Sequence, residues 1–195
     1  GTDPEVWQRC ARMTLEIAAR FPDLKRLNLG GGFKVARMPN ENSADMQVIG
    51  EAIANDFREF AAKHGRELRL ELEPGTWLVA NAGALIATVI DVVDTGADGY
   101  QFIKTDTGMT EILRPSMYGA QHPMTVILAN GATPDTTSAI VVGHCCESGD
   151  ILTPAPGDPE ALSPRELAKP AIGDTLVIEG AGAYCAAQSA VNYNS

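Results

Sequence analysis

Long apolar runs are missing from this chain: no stretch approaches the roughly 20 consecutive residues that a bilayer-spanning helix needs, so no membrane role is expected. Positive charge is scarce as well. Fifteen Lys and Arg stand against 25 Asp and Glu, a formal net charge of -10, and the basic residues form no block. That balance argues against a nucleic-acid or anionic-membrane surface. Cysteine is sparse and unpatterned: Cys10, Cys145, Cys146 and Cys185 include no C-x-x-C pair, and the adjacent Cys145-Cys146 is a poor disulfide framework. Reduced thiols in a cytoplasmic protein are the expectation. Histidine is limited to His64, His122 and His144, in no ligand spacing, so no metal site is expected. What remains is 45% hydrophobic, enough to bury a core in one domain or two small ones. Neither Gly1 nor Ser195 resembles a natural terminus, so the chain reads as a piece of something longer, and a missing amino-terminal region would hide any targeting peptide.

The first part reads as helix, strand, helix, strand. Thr2-Asp3-Pro4-Glu5 opens a helix with a capping-box spacing from Thr2 to Glu5. Val6, Cys10, Met13 and Ile17 make an apolar stripe at helical spacing, which Phe21-Pro22-Asp23 ends. A strand over 24–29 follows. Ser43-Ala44-Asp45 starts a second helix with Met46, Ile49, Ile53, Phe57 and Phe60 on one face; it closes at Gly65, and 67–72 returns as a strand with Leu68, Leu70 and Leu72 together. This rhythm predicts a parallel sheet with crossover helices. Two strands do not complete such a sheet, so another chain or further sequence must supply the rest. After Gly75 the pattern changes. Residues 77–84 allow one more helix, and 86–93, 100–104, 124–128, 138–142 and 175–179 read as short strands between Gly, Asp and Pro turns. Residues 150–173, rich in proline and acid, read as a surface excursion. The expected architecture is α/β over 1–83 and an antiparallel β-barrel or sandwich over 84–195.

The stretch Leu27-Asn28-Leu29-Gly30-Gly31-Gly32-Phe33 organises the rest. An alternating run stops at three glycines, whose missing Cβ atoms let successive N–H groups close on an anion, typically a phosphate. Parallel strands end on the same side, which puts these glycines beside Glu73-Pro74-Gly75. Glu73 reads either as a solvent-facing strand end or as a carboxylate aimed at a cofactor cation such as a protonated ring nitrogen. Arg114, with Pro115 and Tyr118 in the polar stretch 107–123, is a surface charge or a fork for a substrate carboxylate. His144-Cys145-Cys146-Glu147-Ser148-Gly149-Asp150 gathers thiol, carboxylates and hydroxyl in one loop. Cys146 there is a candidate proton donor to a carbanion, or a nucleophile with His144 or His122 as base. Tyr184, ending Gly180-Ala181-Gly182-Ala183-Tyr184, is a phosphate-bonding phenol or a cap on the core.

Taken together, Leu29-Gly30-Gly31-Gly32-Phe33, Glu73-Pro74-Gly75, Asp106-Thr107-Gly108-Met109 through Arg114-Pro115 and Tyr118-Gly119, Cys146-Glu147-Ser148-Gly149-Asp150, Gly182-Ala183-Tyr184 and the closing Asn192-Tyr193-Asn194-Ser195 carry a resemblance. In order and spacing, over nearly the whole chain, they resemble the fold-type III pyridoxal-phosphate-dependent decarboxylases, and among them the diaminopimelate decarboxylase family. The Cys-Glu-Ser-Gly-Asp string is the most specific part, because the related polyamine decarboxylases differ after that Cys. The resemblance implies that 1–83 form the last units of a (β/α)8 TIM-type barrel binding pyridoxal 5'-phosphate, and that 84–195 form a β-domain carrying the Cys loop. It implies that Gly30, Gly31, Gly32 and the Glu73-Pro74-Gly75 turn cradle the cofactor phosphate, helped by Tyr184, and that Glu73 pairs with the pyridinium nitrogen. Arg114 and Tyr118 are implied to hold a substrate carboxylate, Cys146 to donate a proton and Glu147 to recognise the distal amino group. Both of the latter are implied to act in the partner's site of an obligate homodimer. The implied reaction is decarboxylation of meso-2,6-diaminopimelate to L-lysine and CO2.

Two departures accompany the resemblance. Thr76 stands where the family has Arg after Glu-Pro-Gly, so one hydroxyl replaces a charged fork. The family's Schiff-base lysine lies in the amino-terminal half of the barrel, and Lys25, Lys34, Lys63, Lys104 and Lys169 match no such motif; this chain alone is expected to be inactive. Three alternatives stand beside the main reading: a decarboxylase of the same fold for another basic amino acid or a carboxylated polyamine, a non-catalytic relative serving as a binding module, and a cysteine hydrolase built on Cys146.

Overall fold

Two helices packed on a short parallel sheet make up the first of two units in the computed structural model, which describes residues 1–131 and 135–193. This unit comprises Gly1–Ala36 and Asn40–Leu78; the second comprises Arg37–Pro39 and Val79–Ser195. The closing Asn194-Ser195 of the family-like stretch lies outside the described residues. Helix α1 (Pro4–Ala18) starts at Asp3, whose carboxylate accepts from the Glu5 N–H at 2.9 Å, so the cap is Asp3 and not Thr2. The apolar stripe read from its sequence faces outward: Val6, Met13 and Ile17 are exposed, while Trp7, Ala11, Leu15 and Ala18 are buried. Two apolar faces compete on this helix. The face with Trp7 goes inward because its ring stacks on Phe33, centroids 4.0 Å apart and planes 6° from parallel. That stack anchors the far end of the glycine turn.

Strand β1 (Arg26–Asn28) leads to the glycines, and α2 (Met46–His64) follows. Asp45 caps α2 by accepting from Gln47 and Val48 N–H, and Gly65 ends it in the left-handed conformation. Ile49, Ile53 and Phe60 are buried, as their spacing predicts. Strand β2 (Arg69–Glu71) lies parallel to β1, with Leu27 opposite Leu70. Leu29, Leu70 and Leu72 pack under α2 against Ile49, Ile53 and Phe33.

The chain then passes through α3 (Gly75–Val79) and a 3-10 turn over Ala80–Ala82. The second unit holds β3 (Leu85–Asp94), β4 (Gln101–Thr105), α4 (Arg114–Tyr118), β5 (Met124–Ile127), β6 (Thr136–Val142), β7 (Pro154–Ala155), β8 (Asp158–Leu162), β9 (Arg165–Ala168) and β10 (Thr175–Ile178). Six strands form one sheet in the order β5-β10-β3-β4-β6-β9, and the edge strands β5 and β9 approach each other, so the sheet is nearly closed into a barrel. Alternation fills its interior: Ala87 and Val89 of β3 point inward to Ile103, Val141, Leu152, Leu176 and Ile178, while Ile86 and Ile90 face out.

Two expectations need correction. The sheet is mixed, not antiparallel: α4 and β5 intervene after β4, and β6 re-enters alongside β4 in the same direction. Residues 150–173 are also more than an excursion. They carry β7 and β8, paired with each other, and β9, which pairs antiparallel with β6 and buries Leu167. Strand β9 offers one buried side chain among charged neighbours, Arg165 and Glu166, so its apolar signal is too short to read. Replacing Leu167 with Ala is expected to destabilise the full-length protein by about 2–5 kcal/mol in urea unfolding. Glu166→Ala, on the exposed face of the same strand, is expected to change stability by less than about 0.5 kcal/mol. Equal, small effects from both would mean that β9 does not close the barrel.

Candidate functional site

In the first unit, the parallel register of β1 and β2 decides the geometry. Arg26, Leu27 and Asn28 lie opposite Arg69, Leu70 and Glu71, so both strands end together. The Glu73 N–H donates to the Gly30 carbonyl at 2.8 Å. A Cβ on Gly31 would sit 2.1 Å from the Glu73 carbonyl oxygen, so glycine alone lets the two turns touch. The N–H groups of Gly31 and Gly32 meet no acceptor among the described residues, and nothing lies within 4 Å of where a Gly32 Cβ would be. Open donors of this kind suit an anion. The exposed Glu73 carboxylate takes one hydrogen bond, from Asn28 Nδ2 to Oε1 at 2.8 Å, while Asn28 Oδ1 accepts from the Gly30 N–H at 2.7 Å. One asparagine therefore holds both the acid and the glycine turn. Pro74 and Gly75 carry the chain into α3, where Thr76 is half-buried.

In the second unit, the loop 143–150 is a hairpin between β6 and Ile151, closed by the bridge of Val142 with Ile151 and by the Gly143 N–H to Asp150 carbonyl bond at 2.9 Å. The buried Asp150 side chain organises it. Oδ1 accepts from the Met109 N–H at 2.7 Å and Oδ2 from the Cys145 N–H at 2.9 Å. Cβ atoms on Gly108 or Gly143 would come within 2.4 and 2.1 Å of this carboxylate, so both must be glycine to admit it. Beside it, Glu111 Oε2 accepts from Thr110 Oγ1 at 2.7 Å, the Gly108 N–H at 3.0 Å and Thr107 Oγ1 at 3.1 Å. His144 Nε2 lies 2.8 Å from Thr110 Oγ1 and 3.5 Å from the same Glu111 oxygen. Burial pushes the Glu111 carboxyl up, but the hydrogen bonds and the His144 charge outweigh it and leave the pKa below its usual value.

Cys146 and Glu147 occupy the exposed tip. Glu147 Oε1 accepts from the Gly149 N–H at 3.2 Å and Ser148 Oγ at 3.3 Å, and the single proton of Tyr193 Oη is shared between the Cys146 carbonyl at 2.9 Å and Glu147 Oε2 at 3.3 Å. These bonds, that of Gly149 foremost, hold the Glu147 carboxyl below its ordinary range. Burial and the nearby Asp150 charge instead push the Cys145 thiol up. The Cys146 thiol is hydrogen-bonded to no histidine among the described residues: His144 turns to Thr110, and His122 is wholly buried against the Glu179 carbonyl. Neither histidine of the hydrolase alternative therefore stands at the Cys146 thiol. An open cavity of about 530 Å³ lies against the loop, with Ile90, Val93 and Phe102 as its apolar wall and His144, Cys145 and Glu147 as its polar one.

Arg114 opens α4, with its guanidinium carbon 5.8 Å from the Tyr118 ring centroid; its Nε is buried and meets no acceptor among the described residues. Tyr184 follows a turn tied down by the Ala181 N–H to the Gly83 carbonyl and the Gly182 N–H to the Ala80 carbonyl, each at 2.8 Å. Its φ of 55° is left-handed, a conformation that costs a residue with a Cβ roughly 1–2 kcal/mol. The phenol is exposed, and Arg37 Nε braces the turn by donating to the Gly180 carbonyl at 2.8 Å. Within its own unit, then, the structure brings Gly30 and Gly31 against Glu73 and Arg114 near Tyr118, while Cys146 and Glu147 are chain neighbours at one tip. Asn28, Glu111, Asp150 and Tyr193 had no assigned role. All four lie inside the motif stretches, but nothing local marks their partners: Asn28 and Tyr193 reach acceptors 45 and 46 residues away, and Asp150 a donor 41 residues away.

The chain as a whole is similar to known proteins. The family model for the pyridoxal-dependent decarboxylase C-terminal sheet domain matches residues 76–182. The diaminopimelate decarboxylase of Escherichia coli is 35% identical over 192 residues, covering 96% of this chain and 44% of that protein. A crystal structure of a diaminopimelate decarboxylase superposes with a TM-score of 0.91 at 31% identity, covering 100% of this chain and 46% of that one. That of the Helicobacter pylori enzyme complexed with L-lysine gives 0.75 at 29% identity, covering 98% and 42%. The chain therefore spans less than half the length of the relatives it matches. No helix among the described residues is long and apolar enough to cross a membrane.

The lowered Glu111 pKa sets a pH dependence. Its ionised form is favoured in the folded state, so the stabilisation is complete above the ordinary glutamate range, about 4.3, and is lost as pH falls through the lowered folded value. Thermal unfolding of the full-length protein from about pH 7 to about pH 3 is expected to show a shallower acid loss for Glu111→Gln than for the native sequence. Parallel curves would rule out this contribution.

Proposed function

We infer that the parent protein of this chain, which belongs to the pyridoxal-dependent decarboxylase family, removes CO2 from meso-2,6-diaminopimelate and yields L-lysine. The observation that carries this reading is the exposed Cys146-Glu147 tip on a hairpin clamped by Asp150, in a chain whose similarity to diaminopimelate decarboxylases runs nearly end to end. The residues fit the cofactor: open N–H donors at Gly31 and Gly32 suit a phosphate, and the Glu73 carboxylate, held by Asn28, suits a cationic ring. Pyridoxal 5'-phosphate, when bound, supplies a protonated ring that takes up the electron pair left by the departing CO2. The turns of Gly30, Gly31, Gly32 and Glu73-Pro74-Gly75 are assigned to its phosphate, Tyr184 to a phosphate oxygen, and Glu73 to the ring nitrogen, whose proton it retains.

Arg114 and Tyr118 are assigned to a substrate carboxylate; the buried, unaccepted Nε of Arg114 supports this, since a planar fork in want of an acceptor is suited to one. Glu147, held ionised by its donors, is assigned to the distal ammonium group, and Cys146 delivers a proton to the carbon that loses CO2. In this reading both act across a homodimer interface in the cytoplasm, and α1, β1, α2 and β2 are closing units of a (β/α)8 barrel. The outward Val6, Met13 and Ile17 support the barrel, because further units give this apolar stripe something to pack on. Thr76 favours a second reading, in which the same chemistry acts on another basic amino acid or a carboxylated polyamine, because a hydroxyl replaces the charged fork there.

The test is the full-length parent with pyridoxal 5'-phosphate. The visible band of the bound cofactor is expected to shift on adding meso-diaminopimelate, with CO2 and lysine released, and Cys146→Ala is expected to lower kcat by about 10²–10⁴. Turnover of ornithine or arginine in its place would move the substrate to the second reading. No cofactor band at all would leave a binding module. The isolated chain is expected to make no lysine.

A further inference from the structure

We propose that Tyr193 is a positioning residue that aims Glu147 and so sets the site's preference for a substrate carrying a distal ammonium group. This rests on the function proposed above. An exposed glutamate at a hairpin tip ordinarily samples several rotamers, and a binding group gains from being held in one. Here both carboxylate oxygens are occupied on the protein side: Oε1 by Gly149 and Ser148, Oε2 by the Tyr193 phenol. The phenol has one proton, shared between Glu147 Oε2 at 3.3 Å and the Cys146 carbonyl at 2.9 Å, so a three-centre hydrogen bond spans the side chain and the peptide of the two tip residues.

Tyr193 is itself anchored to the clamp beneath the loop. Its N–H donates to the Ala190 carbonyl at 2.9 Å, the Ala190 N–H donates to the Met109 carbonyl at 3.0 Å, and the Met109 N–H donates to Asp150 Oδ1. The hydrogen bonds thus run from Asp150 through Met109 and Ala190 to Tyr193 and back to the tip. The choice of a phenol matters chemically. It donates a hydrogen bond yet carries no charge, so it orients the carboxylate without cancelling the negative charge an ammonium group recognises; a lysine or arginine at this position would pair with Glu147 and compete with substrate. The two groups perturb each other in the directions such a bond requires: burial first, then the charge of Glu147 with Cys146 and Cys145 behind it, pushes the Tyr193 phenol up, while Glu147 lies low.

The experiment uses the full-length protein with its cofactor and four forms: native, Tyr193→Phe, Glu147→Gln and the double variant. Tyr193→Phe keeps the ring and removes only the hydroxyl. It is expected to raise the KM for meso-diaminopimelate about tenfold while kcat changes less than about threefold, and to add nothing in the Glu147→Gln background. An unchanged KM, or the same rise in both backgrounds, overturns the proposal; the latter would mark a structural effect. A second readout needs no substrate. Alkaline titration of the ultraviolet phenolate band, native minus Tyr193→Phe, is expected to place Tyr193 above free tyrosine and to lower it in Glu147→Gln by the part that Glu147 contributes beside burial. If the native enzyme leaves diaminopimelate untouched, the proposed function fails, and this titration decides alone: a shift released by Glu147→Gln upholds the positioning role, and an unshifted Tyr193 ends it.

Discussion

The buried carboxylate of Asp150 is the contact on which the second unit's functional surface depends. Two backbone donors from different loops, Met109 and Cys145, converge on it, and hydrogen bonds to a charged group are each worth about 1.5–3 kcal/mol. A carboxylate removed from water without such donors would be strongly unfavourable, so the loops have little choice of arrangement once Asp150 is inside. Gly108 and Gly143 make the room, and everything outward of the clamp inherits its order: Glu111 and His144 on one side, Cys146, Glu147 and Tyr193 on the other. The Cys146 thiol and the Glu147 carboxylate therefore stand exposed on a hydrogen-bonded base. Exposure serves the chemistry, and the base supplies the precision that a free loop lacks.

In the first unit the corresponding constraint is register. The pairing of Asn28 with Glu71 brings both strands to an end at the same level, and a slip of one residue would turn Asn28 to the other face and part Gly30 from Glu73. The burial of Leu27 and the packing of Leu70 under the helices hold that register, so an ordinary apolar core decides where the acid and the open N–H donors meet. Trp7 contributes from a distance through its stack on Phe33.

Much of this was legible because several signals agreed locally. In α2 the cap Asp45, the stripe of Ile49, Ile53 and Phe60 and the stop at Gly65 all point to one helix. Strands β3, β4, β5, β6 and β10 announce themselves by β-branched residues between turns. Legibility failed where two answers were locally equivalent or the signal was too brief. Helix α1 has two apolar faces, and periodicity cannot say which one goes inward; the aromatic partner at Phe33 decides. Strand β9 buries only Leu167, and nothing in Arg165-Glu166-Leu167-Ala168 distinguishes an edge strand from a loop. The parallel pairing of β4 with β6 depends on how the intervening chain crosses, which is a property of the whole barrel.

By itself the sequence determined the elements and the chemistry on offer: two helices alternating with strands, a run of β-strands, and glycine, acid, thiol and phenol placed in recognisable strings. These follow from short-range rules, since caps, periodicity and turn residues act within a few positions. Only the tertiary structure decided which groups touch. That Asp150 joins loops 41 residues apart, that Asn28 serves Glu73 across 45, and that Tyr193 reaches Glu147 across 46 are outcomes of strand register and barrel closure. Such contacts leave no local trace, because a hydrogen bond depends on distance and angle in space, and the chain carries no marker of who its distant neighbour will be.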